Sequence, residues 1–145
     1  MEEDRISNKI TEIEKFWEEL NEALPKDFAE YERDFRVKAI CERYFEKIVE
    51  AAVDLAYFFI REKKWKFPET EKELFNTLSE QGVISERLAL RLKDAKGMRN
   101  ILAHQYGEVN DKAVFTAVTE ELGPDVLEFL EGVRTDLQKN KPEKH

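Results

Sequence analysis

Two side chains of one short segment have the chemistry to act together on a phosphodiester: the guanidinium of Arg99 and the imidazole of His104. Asn100 lies between them and Tyr106 just beyond. The chain has two histidines, and one of them, His145, is terminal. His104 is therefore the sole internal group whose ordinary pKa lies near neutrality. A neutral imidazole can take the proton of an RNA 2′-OH. A guanidinium can offer a phosphate two donors at once and stabilise charge at the phosphorus centre. Asn100 would add a donor, and Tyr106 would touch the substrate.

Geometry constrains this. On a helix at about 100° per residue, Arg99 and His104 diverge by about 140°, whereas Arg99 and Tyr106, about 700° apart, align. Two arrangements bring Arg99 and His104 together. The helix can end near Ala103, so that His104 swings round, or two copies can meet, each contributing both residues. A two-fold dimer also supplies a second His104 as general acid, and it is the arrangement we favour. Without such convergence His104 is a capping or packing residue at a helix end, Arg99 a surface side chain and Tyr106 a core aromatic.

Other groups are weighed against plainer roles. Glu50 and Asp54 lie one turn apart and can orient Arg99 or His104; otherwise they form a polar seam paired with Lys47 or Arg61. Asp54, deeper in the apolar run, is the stronger auxiliary candidate. Lys63, Lys64, Trp65 and Lys66 interleave basic groups with an indole, a pattern that tracks a phosphate backbone and stacks a base; the plainer reading is a solvated loop with Trp65 as its anchor. Cys41 reads as a small core residue, and a single cysteine excludes an internal disulfide. No metal site and no cofactor is expected.

These residues must be held by helices. Ile6, Ile10, Ile13, Trp17, Leu20 and Leu24 recur at steps of three and four, one apolar stripe ended by Pro25. Asp34 is an N-cap candidate for a central helix of roughly residues 35–62, with Val37, Ile40, Cys41, Tyr44, Ile48, Ala51, Ala52, Leu55 and Phe59 inward. The stretch Lys63–Lys66 with Pro68 reads as a loop. A short helix over about Glu69–Gln81 ends at Gly82. Ser85 caps the helix that carries Leu88, Leu92, Ala95 and Leu102 and leads into the Arg99 segment. Asn110 or Asp111 starts another, Gly123 and Pro124 break it, and a last helix covers about 124–138. No strand alternation appears. The expectation is an all-α antiparallel bundle of about five or six helices, one domain over residues 1–138 with a flexible polar tail at 139–145.

The formal net charge of -8, from 24 basic and 32 acidic residues, counts against a general nucleic-acid binder. Positive charge is local: from Glu86 to Tyr106 there are 5 basic and 2 acidic residues. No apolar run approaches the roughly 20 residues that span a bilayer. A cytoplasmic protein with no membrane and no DNA partner is expected.

Arg99, Asn100, His104 and Tyr106 match the Arg-Asn-x-x-x-His-x-Tyr form of the Arg-x4–6-His motif, and here the chain resembles the HEPN superfamily, in particular its HepT-type toxins. Glu42–Ala56 resembles the long second helix of that group and Gly82–Leu92 its approach to the motif helix, so the likeness spans roughly residues 30–137. The resemblance implies a HEPN-like helical homodimer with paired motifs facing across the interface. It implies a metal-independent endoribonuclease that leaves a 2′,3′-cyclic phosphate, with Arg99 and His104 catalytic. It also implies a partner, a minimal nucleotidyltransferase antitoxin that transfers AMP to the motif tyrosine, here Tyr106. Added bulk and negative charge there would block an RNA phosphate. The alternative is a non-catalytic HEPN interaction module that binds a nucleotidyltransferase or a nucleotide.

Overall fold

The computed structural model describes residues 2–104 and 109–139. Its elements are α1 (Glu2–Ala23), α2 (Phe28–Arg33), α3 (Phe35–Lys63), a 3-10 turn (Glu71–Glu73), α4 (Leu74–Glu80), α5 (Glu86–His104), α6 (Asp111–Thr116), a π turn (Ala117–Glu121) and α7 (Leu122–Lys139). Because α6, the π turn and α7 run on as one rod, the described residues form six helical rods and no strand. This is the all-α bundle that the periodicity predicts.

Side-chain caps fix where the helices start. Asp27 accepts from the Glu30 amide at 2.8 Å, Asp34 from that of Arg36 at 3.0 Å, Ser85 from that of Leu88 at 3.0 Å and Asn110 from that of Ala113 at 3.0 Å. Each such cap is worth about 1 kcal/mol. Gly82, at φ 79°, closes α4: its amide donates to the Ser79 carbonyl, and the Val83 amide reaches back to Leu78. Only a residue free to take the left-handed conformation ends a helix so tightly.

α3 is the axle. Its Cys41, Ile48, Leu55, Ala56, Phe59 and Ile60 are fully buried. Burial of each large apolar side chain contributes about 1.5–3 kcal/mol. α1 lies antiparallel to it, as the pairs Lys9–Asp54 and Glu19–Tyr44 require. α5 crosses it on another side, and α4 and α7 close the core.

Several local expectations need correction. Gly123 and Pro124 do not break the rod. The wide π turn falls just before Pro124, so the residue that cannot donate an amide sits where the hydrogen-bond ladder is already re-spaced, and the rod runs on. Gly123 is there for space: a Cβ would stand 2.5 Å from the Trp17 ring. Residues 28–33 form a helix that has too few turns to show a periodic stripe. The helix placed over Glu69–Gln81 begins at Glu71 as a 3-10 turn. Ile40 is 40 % exposed and does not face the core.

Candidate functional site

α5 has apolar residues on opposite sides. Leu88, Ala89 and Leu92 are buried, while Leu90, Asp94, Gly97, Ile101 and His104 form an outward stripe at steps of four, three, four and three. Leu90 is 58 % and Ile101 43 % exposed. That spacing is the seam of one helix packing along another, and Gly97 in its middle has open space where a Cβ would be.

α5 continues through His104. The alternative in which the helix ends near Ala103 is therefore not realised. His104 stands exposed in the last turn, about 7.5 Å along the axis and about 140° around it from Arg99. Within one copy the two side chains point apart.

Arg99 turns toward α3. One terminal nitrogen donates to Glu50 Oε2 at 3.4 Å and the other to Asn100 Oδ1 at 3.2 Å. Its Nε is buried and, among the described residues, has no hydrogen-bond partner. The side chain is 26 % exposed, so the guanidinium sits at a mouth and not in the core. It lines a cleft of about 280 Å³ with Val49, Glu50, Val53, Asp54, Glu71 and Lys96. Lys96 pairs with Glu71 at 3.1 Å across that cleft.

Asp54 lines the same cleft without touching Arg99. Its carboxylate pairs with Lys9 at 3.6 Å. Burial raises its pKa above the ordinary carboxylate value, with Lys9 working the other way. The Arg99 partner is thus Glu50, one turn earlier, and the sequence signal was only that both acids share one face of α3. The expected seam partner Lys47 lies instead over the rings of Phe16 and Tyr44, at 4.3 and 5.0 Å.

The basic stretch after α3 divides. Lys63 is the last residue of α3, and its ammonium is committed to Asp136 at 2.6 Å, both side chains largely buried. Trp65 packs edge-on against Phe59 at 5.9 Å and anchors the loop. Lys64, in the left-handed cap position, and Lys66 are exposed. Lys63 lies thirteen residues from Glu50 along α3, about 20 Å, so this stretch does not join the Arg99 cleft. Tyr106 and residues 140–145 of the tail lie outside the described residues.

A second cavity, of about 120 Å³, lies against the π turn between Phe45, Met98 and Arg91. Its arginine is already committed to acids: Nε donates to both Asp125 oxygens at 2.8 and 2.9 Å, and a terminal nitrogen lies 3.8 Å from Glu121. No described helix is long and apolar enough to cross a membrane.

Comparison with known proteins finds relatives that share this fold. The model of the family described as "Ribonuclease HepT-like" matches residues 8–133. The mRNA nuclease HepT of Shewanella oneidensis is 26 % identical over 133 residues, 92 % of this chain and 98 % of its own. The tRNA nuclease HepT of Aphanizomenon flos-aquae is 25 % identical over 114 residues, 79 % of this chain and 78 % of its own. Among solved structures, a toxin–antitoxin complex with AMP-PNP aligns with a TM-score of 0.83 at 25 % identity, over 91 % of this chain and 98 % of that one. A tri-AMPylated HEPN toxin of Shewanella oneidensis in complex with its MNT antitoxin aligns at 0.82 and 25 %, over 90 % and 96 %.

Proposed function

Since the chain belongs to the HepT-like ribonuclease family, we propose that it is an endoribonuclease, the toxin of a toxin–antitoxin pair, cutting cellular RNA without a metal ion in the cytoplasm. The observation that carries this is the Arg99 guanidinium, held at the mouth of a cleft by Glu50 and Asn100 on the same helix that exposes His104.

The two groups diverge within one copy, so the working unit is a homodimer. The outward stripe of α5, with Leu90 and Ile101 exposed around Gly97, is the surface on which a second copy brings its own Arg99 and His104. One His104 takes the proton of the RNA 2′-OH. The 2′-oxygen attacks phosphorus, and the bond to the 5′-oxygen breaks. The second His104 returns a proton to that oxygen. The products are a 2′,3′-cyclic phosphate and a 5′-hydroxyl. Arg99 leaves Glu50 for the phosphate, because a charge-assisted fork outweighs a single solvated bond of 3.4 Å. Asn100 adds a donor.

Regulation follows the same chemistry. A minimal nucleotidyltransferase antitoxin places AMP on Tyr106, and the added phosphate repels the RNA phosphate from Arg99.

The test is cleavage of total tRNA in EDTA by wild type, His104→Ala and Arg99→Ala, with the new ends identified. Cleavage by wild type alone, leaving cyclic phosphate, is the expected result. Intact RNA in every lane, from dimeric protein unmodified at Tyr106, would leave the non-catalytic interaction module. Mixing with a minimal nucleotidyltransferase encoded beside the chain, and ATP, should add the mass of AMP at Tyr106 and not in Tyr106→Phe.

A further inference from the structure

The Arg99 cleft does not end at Asp54. A second hollow of about 290 Å³ continues from it, sharing Val53, Asp54 and Glu71 and extending to Tyr57, Phe67 and Thr70. Glu50, Asp54 and Tyr57 share one face of α3, so the floor is continuous over about 10 Å. At the far end Tyr57 and Phe67 lie nearly parallel, ring centroids 4.8 Å apart and planes at 29°. Both remain exposed, at 42 % and 39 %. Pro68 confines Phe67 to extended backbone, so the aromatic pair is preformed and binding a ring against it orders little.

Charge along this groove is uneven. The cations that line it, Arg99 and Lys96, lie at one end. Glu71 is held by Lys96 at that end, and toward the aromatic pair the lining carries Glu69 and Asp54, the latter facing Lys9 at 3.6 Å. A phosphate is held only at the Arg99 end. Beyond it the walls offer carboxylates, which accept hydrogen bonds but give a phosphate no donor, and they end in a flat aromatic surface. A nucleobase has the complementary chemistry: a π face and, on adenine, cytosine and guanine, an exocyclic amino donor. Single-stranded RNA is read in this way, by stacking and by its base edges.

We propose that the groove from Arg99 to the Tyr57–Phe67 pair is a nucleobase subsite for the RNA strand, in which a base beside the scissile phosphate stacks on the aromatic pair and turns its amino edge to Asp54. The subsite rests on the ribonuclease reading and adds to it a source of sequence preference: bases with an amino group are favoured over uracil at that position.

The test uses binding, so it does not depend on cleavage. Short single-stranded RNAs with 2-aminopurine at one position each are mixed with the full-length His104→Ala protein. The expected result is fluorescence quenching at one position, kept in Tyr57→Phe and lost in Tyr57→Ala. Alanine should weaken binding by about 5- to 100-fold, with helical content by circular dichroism unchanged. Replacing the responsive base by uracil should weaken binding to wild-type groove residues and not to Asp54→Asn. Quenching that persists in Tyr57→Ala, or RNA that binds with no position quenched, overturns the subsite. So does Tyr57-dependent binding of free AMP without any effect on RNA. Wild-type cleavage of tRNA is measured in parallel: cleavage without Tyr57-dependent quenching sinks the subsite alone, and quenching without cleavage sinks the nuclease reading alone.

Discussion

Replacing Arg99 by lysine separates a clamp from a strut. The guanidinium ties two groups at once, Glu50 at 3.4 Å and Asn100 at 3.2 Å. An ammonium keeps the charge but cannot span both, and it cannot fork onto a phosphate. For stability the loss is small, because Arg99 is 26 % and Glu50 56 % exposed. Pairs so solvated contribute about 0.5–1 kcal/mol. Arg99→Lys also removes the buried Nε that lacks a partner, which offsets part of that loss. For a chain of this size the expected fall in Tm is therefore no more than about 2–4 °C. For catalysis, losing one preorganised donor to the developing charge costs about 10²–10³ in kcat. The assay pairs thermal unfolding with cleavage of tRNA in EDTA, and the expected result is a near-native Tm with activity down by about two to three decades. A variant as active as wild type refutes the fork. Activity and Tm falling together would make Arg99 a structural residue.

Other substitutions probe the rest of the molecule. Leu90→Asp with Ile101→Asp, both on the exposed stripe of α5, should leave a folded monomer by sedimentation equilibrium with cleavage abolished; an active monomer would sink the shared site. Asp136→Ala strands Lys63 in a largely buried pair and should cost about 3 kcal/mol in urea unfolding, while Lys63→Met with Asp136→Leu should recover most of it. Gly132→Ala sets a Cβ 2.6 Å from the Val83 carbonyl oxygen, and should lose about 1–3 kcal/mol despite its better helix propensity. Burial pushes the Cys41 thiol up from near 9 to about 11. The fold disfavours the thiolate, so the thiol's contribution to stability is full below pH 9 and is lost as pH rises through 11. Native protein should resist alkylation at pH 8 and react on unfolding; fast native alkylation would contradict this burial.

Much of the architecture was legible because it depends on near neighbours. The stripe from Ile6 to Leu20, the caps at Asp34 and Ser85 and the turn at Gly82 are set within a few residues of chain, and each appears as the pattern predicts. Helix α2 was missed because six residues hold too few turns to show a period. The rod through Gly123 and Pro124 was missed because a π turn leaves no distinct sequence mark.

The candidate site divides in the same way. Sequence alone brought Arg99, Asn100, His104 and Tyr106 into one segment, but only the run of α5 through His104 decided that Arg99 and His104 face apart within a copy. Which acid meets Arg99, what engages Lys63 and Asp54, and where an exposed aromatic pair adjoins the cleft were decided only by packing. The ion pairs among them, Lys9 with Asp54, Glu50 with Arg99 and Lys63 with Asp136, join residues from 45 to 73 positions apart. Local periodicity reports which face of a helix is apolar, but not which partner helix crosses it or at what height. That is a property of the assembled core.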